Sequence, residues 1–309
     1  MSNLTVSSSP HIRQKTTTQR VMVDVIIALC PALIASVIIF GYRALIITGV
    51  CVACCVLAEY IWQKLMHKKV TVNDLTAVVT GMLLAFNLPV GIPIWQAVIG
   101  CIVAIIGVKQ LFGGVGKNFV NPALTARIVM FLSFSVSMTT WAHPDAVSTA
   151  TPLAIISSEA AGTAGNQLPS LMNMFLGVRG GCLGETCTLA LLLGGIYLVC
   201  RRVITWHTPV IYIGTVFLFT LALGQSPVYQ IMSGGLMLGA IFMATDYVTT
   251  PYSTVGKIIF GLGAGILTVI IRVYGSYPEG VSYSILLMNI ITPYLNRIRV
   301  PKPLGGAKA

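Results

Sequence analysis

Apolar and polar residues alternate along this chain in long blocks rather than in the short periods of an amphipathic helix or a half-buried strand. Apolar windows run over 21–40, 44–62, 75–88, 94–112 and 122–140, and then over 183–200, 210–223, 234–248, 255–273 and 281–294. A bilayer core takes about 20 apolar residues per helix, so the pattern predicts an all-α polytopic membrane protein with about ten transmembrane helices. Each half contributes an odd number of windows, so the second half enters from the opposite side. A 5+5 inverted repeat is the resulting expectation. Weak internal similarity supports it: Gly81-Met82-Leu83-Leu84 opens a short segment closed by Pro89, and Gly235-Leu236-Met237-Leu238 opens another closed by Pro251.

Composition agrees, with 56% hydrophobic and 9% charged residues in 309. That is too little polar surface for a soluble globule. The polar stretch from Met1 to Arg20 rules out a secretory signal. A net charge of +11 raises nucleic acid as a partner, but the bases lie between apolar windows instead of on one solvated face, which argues against it. Their placement follows the positive-inside pattern. Arg13, Lys15, Arg20, Lys64, Lys68, Lys69, Lys109, Lys117, Arg201, Arg202, Lys257, Arg297, Arg299, Lys302 and Lys308 fall on one side; Arg43, Arg179 and Arg272 fall on the other, and Arg127 lies inside a window. The division expected is a cytoplasmic tail over 1–20, a first half over 21–140, an outer-face loop over 141–182, a second half over 183–296 and a cytoplasmic tail over 297–309.

The most informative polar string is Asp145-Ala146-Val147-Ser148-Thr149-Ala150-Thr151-Pro152 in the outer loop. Pro152 disfavours helical backbone at Thr151, which predicts a hydroxyl on an extended, accessible segment. An ordinary Ser/Thr-rich turn capping a helix is the other reading. The string resembles the flavinylation motif, in which a separate flavin transferase links FMN through a phosphoester to the final Thr. Leu171-Met172-Asn173-Met174-Phe175-Leu176-Gly177, Gly181-Cys182-Leu183-Gly184-Glu185-Thr186 and Phe242-Met243-Ala244-Thr245-Asp246 resemble, in order, stretches of the NqrB/RnfD family. The length is closer to the RnfD branch. Tyr247, where the family often has Pro, and Cys182 and Cys187, where Ser is commoner, depart from the pattern.

The resemblance implies a membrane subunit of an ion-translocating redox complex in the inner, cytoplasmic membrane. The Rnf kind couples electron transfer between reduced ferredoxin and NAD to movement of Na+ or H+. It implies covalent FMN on Thr151, with Asp145, Ser148, Thr149 and Ala150 as the attachment motif, other Rnf subunits as partners, and room for a second, noncovalent flavin such as riboflavin. Arg179 could offset the ester's charge, and Trp141 or Phe175 could stack on the ring; interfacial anchoring or plain packing is the alternative for each. Electrons would enter at an outer-face flavin and pass inward to a partner. A stand-alone small-solute channel or carrier with the same 5+5 fold is the competing function.

The short windows at matching places in the two halves point to a binding site, since broken helices free backbone groups for ligands. Asp246, Glu185 and Asn87 are the candidates for an ion path. Asp246 closes a short window; Glu185 can equally be a cap on the sixth span. Asp24 and Glu59 read as solvated or paired. Cys51, Cys54 and Cys55, and the series Gly261, Gly263, Gly265, lie within apolar windows and read as helix packing. His11, His67, His143 and His207 lack ligand spacing. Without a dinucleotide fingerprint or a cysteine cluster for iron and sulfur, NAD and ferredoxin are expected on other subunits, and no residue here is read as catalytic or as a metal ligand.

Overall fold

The computed structural model describes residues 17–141, 151–160, 168–275 and 279–298, with side chains of the second segment described to 156. All the regular elements there are helical. Each predicted window overlaps a helix or a helical pair. The first half holds α1 (Thr18–Phe40), α2 (Tyr42–Leu65), α3 (Thr76–Phe86), α4 (Ile94–Ile102, continuing as a π-helix over Val103–Gln110), α5 (Pro122–Ser133) and α6 (Ser135–Thr139). Between the halves lie α7 (Pro152–Ala160) and α8 (Leu171–Leu176). The second half holds α9 (Thr188–Cys200), α10 (His207–Ala222), α11 (Pro227–Met232), α12 (Leu236–Leu238, continuing as a π-helix over Gly239–Met243), α13 (Thr254–Tyr274) and α14 (Val281–Leu295). By length and composition α1, α2 and α13 can each cross a membrane alone.

Helix boundaries follow local chemistry. Thr17 caps α1 by accepting from the Arg20 amide, and Gly41 ends it at φ +75°, a backbone that other residues enter only with strain. Asn121 accepts from the amides of Ala123 and Leu124 to start α5, with Pro122 at its first position. Pro89 keeps Leu88 out of the helical region and stops α3 after three turns.

Small residues set how closely helices approach. A Cβ on Gly194 of α9 would strike the Ala28 carbonyl of α1. One on Gly265 of α13 would lie 2.6 Å from Thr215 of α10, and one on Gly263 would lie 2.7 Å from Met288 of α14. The glycine series is therefore a packing device, as its place in an apolar window suggested. Cys51 and Cys55 are fully buried on α2, with the Cys101 thiol of α4 donating to the Cys51 carbonyl at 3.5 Å. Among the described residues no group of His, Cys, Asp and Glu is arranged to hold a metal ion.

Candidate functional site

The two short helices meet in the interior. The Asn87 side chain, just beyond α3, lies 3.7 Å from the Met243 sulfur at the end of the α12 π-segment. Each helix thus ends inside the protein, where unpaired carbonyls must find donors. The loop before α9 supplies them for α3. Gly184 N–H donates to Phe86 O at 3.0 Å and Leu183 N–H to Leu88 O at 3.1 Å, and the Cys182 thiol donates to Asn87 O at 3.2 Å. Gly184 is required there because a Cβ would collide with Phe86. Ser36 of α1 donates to Leu183 O and holds the loop from the other side.

Arg127 of α5 organises this junction. Its guanidinium donates to Asn87 Oδ1 at 2.8 Å, pairs with Glu279 between α13 and α14, and lies 3.9 Å from Glu185 Oε2. First half, loop and second half converge on one buried cation. Asn87 and Glu185 are thereby brought together. Glu185 does not cap the sixth span: α9 starts three residues later, and Oε1 accepts instead from the Cys182 amide at 3.1 Å. Its Oε2 is buried without a hydrogen-bond partner. Arg179 is a clamp within the same loop, donating to Glu185 O at 2.7 Å and Thr186 O at 3.2 Å and facing the Met174 sulfur.

Thr151 stands at the start of α7, just outside the helix as Pro152 requires, and its Oγ1 accepts from the Ala154 amide at 3.2 Å. It is 6% exposed, so the expected accessible hydroxyl is instead an inward-facing one. Asp145, Ser148, Thr149 and Ala150 lie outside the described residues, as do His11 and His143. Leu153 seats α7 on the turn at Gly234: a Cβ there would be 2.7 Å from Leu153 Cδ1 and 3.2 Å from Arg272 Nη2. Arg272 is buried, donating to Gln230 O at 2.6 Å and Ser233 O at 3.1 Å. Trp141 is buried and Phe175 half-buried.

Asp246 belongs to a separate region. It lines a cavity of about 990 Å³ together with Asp24, Lys109, Arg201 and Arg202, while neither Asn87 nor Glu185 borders it. Its Oδ2 accepts from Thr249 at 3.1 Å. Arg201 pairs with Asp24 at 3.2 Å, and Lys109 pairs at 2.7 Å with Glu59, which also accepts from Gln110 and Gln63. Asp24 and Glu59 are therefore paired, one of the two readings their positions allowed.

The sequence did not single out Glu279, Gln230 or Ser233, and Arg127 and Arg272 figured in it only through the charge count. The signal was present for the arginines, because a base within or at the edge of an apolar window must find internal partners.

Fold and site together define an all-helical membrane protein built around two interrupted helices and a buried charge cluster. The chain belongs to the NQR2, RnfD, RnfE family, whose pattern it matches over residues 5–305. It is 50% identical, over 99% of its length and 96% of the relative's, to the D-type subunit of the Na(+)-translocating ferredoxin:NAD(+) oxidoreductase complex of Acetobacterium woodii. It is 45% identical, over 97% and 96%, to the D-type subunit of the proton-translocating ferredoxin:NAD(+) oxidoreductase complex of Clostridium ljungdahlii. Identity to the D-type subunit of the ion-translocating oxidoreductase complex of Marinobacter nauticus is 36%, over 99% and 97%.

Proposed function

We propose that this chain is the D-type membrane subunit of an Rnf ion-translocating ferredoxin:NAD oxidoreductase complex and relays electrons through FMN covalently held on Thr151. Identity at the 50% and 45% level over nearly the whole chain to two subunits so named carries the first part. The reading places the protein in the cytoplasmic membrane as about ten spans in a 5+5 inverted repeat, with both termini inside and 141–182 outside. The contact between the C-terminal ends of α3 and of the α12 π-segment, at Asn87 and Met243, supports this reading, since such a repeat pairs two interrupted helices. Other Rnf subunits are its partners, and a flavin transferase matures it.

The chemistry of the residues suits the flavin. Thr151 offers an oxygen at a helix start, where amide dipoles favour a phosphate. Bound FMN would supply a centre that accepts and returns electrons. The cavity beside Asp246 has the volume for a second, noncovalent flavin such as riboflavin, or for a hydrated path that delivers Na+ or H+ to the junction.

Intact-mass analysis of the purified subunit, with peptide mapping around Thr151, tests the central point. One FMN phosphoester on Thr151, and no flavin fluorescence from Thr151→Ala on a denaturing gel, is the expected result. Fluorescence that persists in the variant would place the flavin elsewhere.

A further inference from the structure

We propose that Arg272, together with Ser233 on the Gly234 turn, is the anion site for the flavin's phosphate, and that Arg179 is not. The inference rests on the covalent FMN reading above and adds to it the residue that balances the phosphodiester's charge.

Consider first the buried bases. Lys109 has Glu59, and Arg127 has Glu279 and Glu185. Arg272 is 5% exposed, yet among the described residues no carboxylate lies within ion-pairing distance of it. Its two terminal nitrogens donate to neutral oxygens of Gln230 and Ser233, and its Nε has no partner. The Ser233 hydroxyl, also fully buried, has none either. The direct contacts of Arg272 are neutral acceptors, and the carboxylates that act on it from further off, Glu185 and Glu279, already face Arg127, so the two idle donors make an incomplete site for an anion.

Position supplies the second observation. The Gly234 turn that follows Ser233 is where Leu153 of α7 makes contact, and a Cβ on Gly234 would touch both Leu153 Cδ1 and Arg272 Nη2. The guanidinium and the first turn of α7 therefore share one surface. Thr151 Oγ1 already accepts from the Ala154 amide in that turn. A phosphodiester on this oxygen carries one negative charge, and the helix start and Arg272 would hold it between them. Arg179 has no comparable capacity, because each of its three nitrogens is engaged within the 174–186 loop. A phospholipid headgroup has the same phosphodiester chemistry, so the experiment must separate the two sources.

The test uses the assembled complex, purified from cells that contain the flavin transferase, with wild type, Arg272→Gln, Arg179→Gln, Thr151→Ala and the Arg272→Gln/Thr151→Ala double variant. Flavin per chain is read from intact mass and gel fluorescence, and the melting temperature is read for each protein. Loss of one charge-assisted contact should lower the flavin-bearing fraction of Arg272→Gln by about tenfold under limiting transferase. Thr151→Ala, which also removes the cap on the Ala154 amide, should lower the melting temperature by more in the wild-type background than in the Arg272→Gln background. Equal effects in both backgrounds would assign the anion to lipid, or to nothing, and overturn the proposal. So would flavin loss confined to Arg179→Gln. Wild type with no adduct on Thr151 overturns the FMN reading itself, whereas a normal adduct in Arg272→Gln overturns only the role of Arg272. If Arg272→Gln does not accumulate, Arg272→Lys replaces it: a retained adduct with weakened thermal coupling supports the site, and unchanged coupling overturns it.

Discussion

Glu59 shows what a single ionisable residue in this protein must satisfy. It is 0% exposed and accepts from Lys109 on one oxygen and from Gln110 and Gln63 on the other, while Lys109 also donates to Thr76 at 2.7 Å. Removing one member strands the other in a medium that cannot solvate it. Glu59→Ala should therefore destabilise the protein by about 3–5 kcal/mol, whereas Glu59→Met combined with Lys109→Met should recover most of that. Thermal unfolding in detergent decides this, and equal losses in the single and double variants would show that the pair is not the cause. Asp246 calls for a different experiment, since it borders the cavity and its carboxylate accepts from Thr249 without an ion pair to any described residue. If it handles the transported cation, Asp246→Asn in reconstituted complex should depress ion transport more than ferredoxin-dependent NAD reduction. At this scale the sequence identified Thr151, Asn87 and Glu185 as residues of interest. It could not tell that Arg127 joins the last two, because those contacts bridge distant parts of the chain and depend on packing alone.

Among the elements, α3 and α12 were legible as short apolar windows because proline closes each of them within the sequence. Less legible was what completes them. Leu183 and Gly184 belong to the apolar window that predicted the sixth span, yet they lie in the loop that caps α3, and α9 begins only at Thr188. Hydropathy cannot separate a buried loop from a buried helix, since both exclude charge. The π-helical segments Val103–Gln110 and Gly239–Met243 were equally invisible, because an apolar run has no preference of its own for that geometry. Gly184 and Gly194 mark where this loop and α9 approach their neighbours most closely. Gly184→Val should force Phe86 aside and lower stability by about 1–3 kcal/mol. Gly214, whose Cβ would meet nothing within 4 Å, is the matched control: Gly214→Ala should leave the melting temperature unlowered.

For the whole molecule, α1 packs on α9 and α5 on α14, so the two halves clasp each other instead of standing side by side. Arg127, Asn87 and Glu279 tie that seam near its centre. Orientation is a prediction at the same scale. Cys200 is exposed at the end of α9, next to Arg201 and Arg202, and the charge pattern puts it inside. A membrane-impermeant maleimide should label Cys200 in inverted vesicles and spare it in right-side-out cells, in a variant that retains only this cysteine. Labelling from outside would invert the electron route, because Thr151 would then face the cytoplasm.

By itself the sequence determined the helical windows, the charge asymmetry and the resemblance in order along the chain, since each depends on local composition or on neighbouring residues. Tertiary structure alone decided that Thr151 faces inward, that Arg179 is a clamp, and that Arg272 is left with idle donors beside α7. The physical reason is the same in each case. Within an apolar interior a polar group is defined by its partners, and those partners come from segments that no local pattern links.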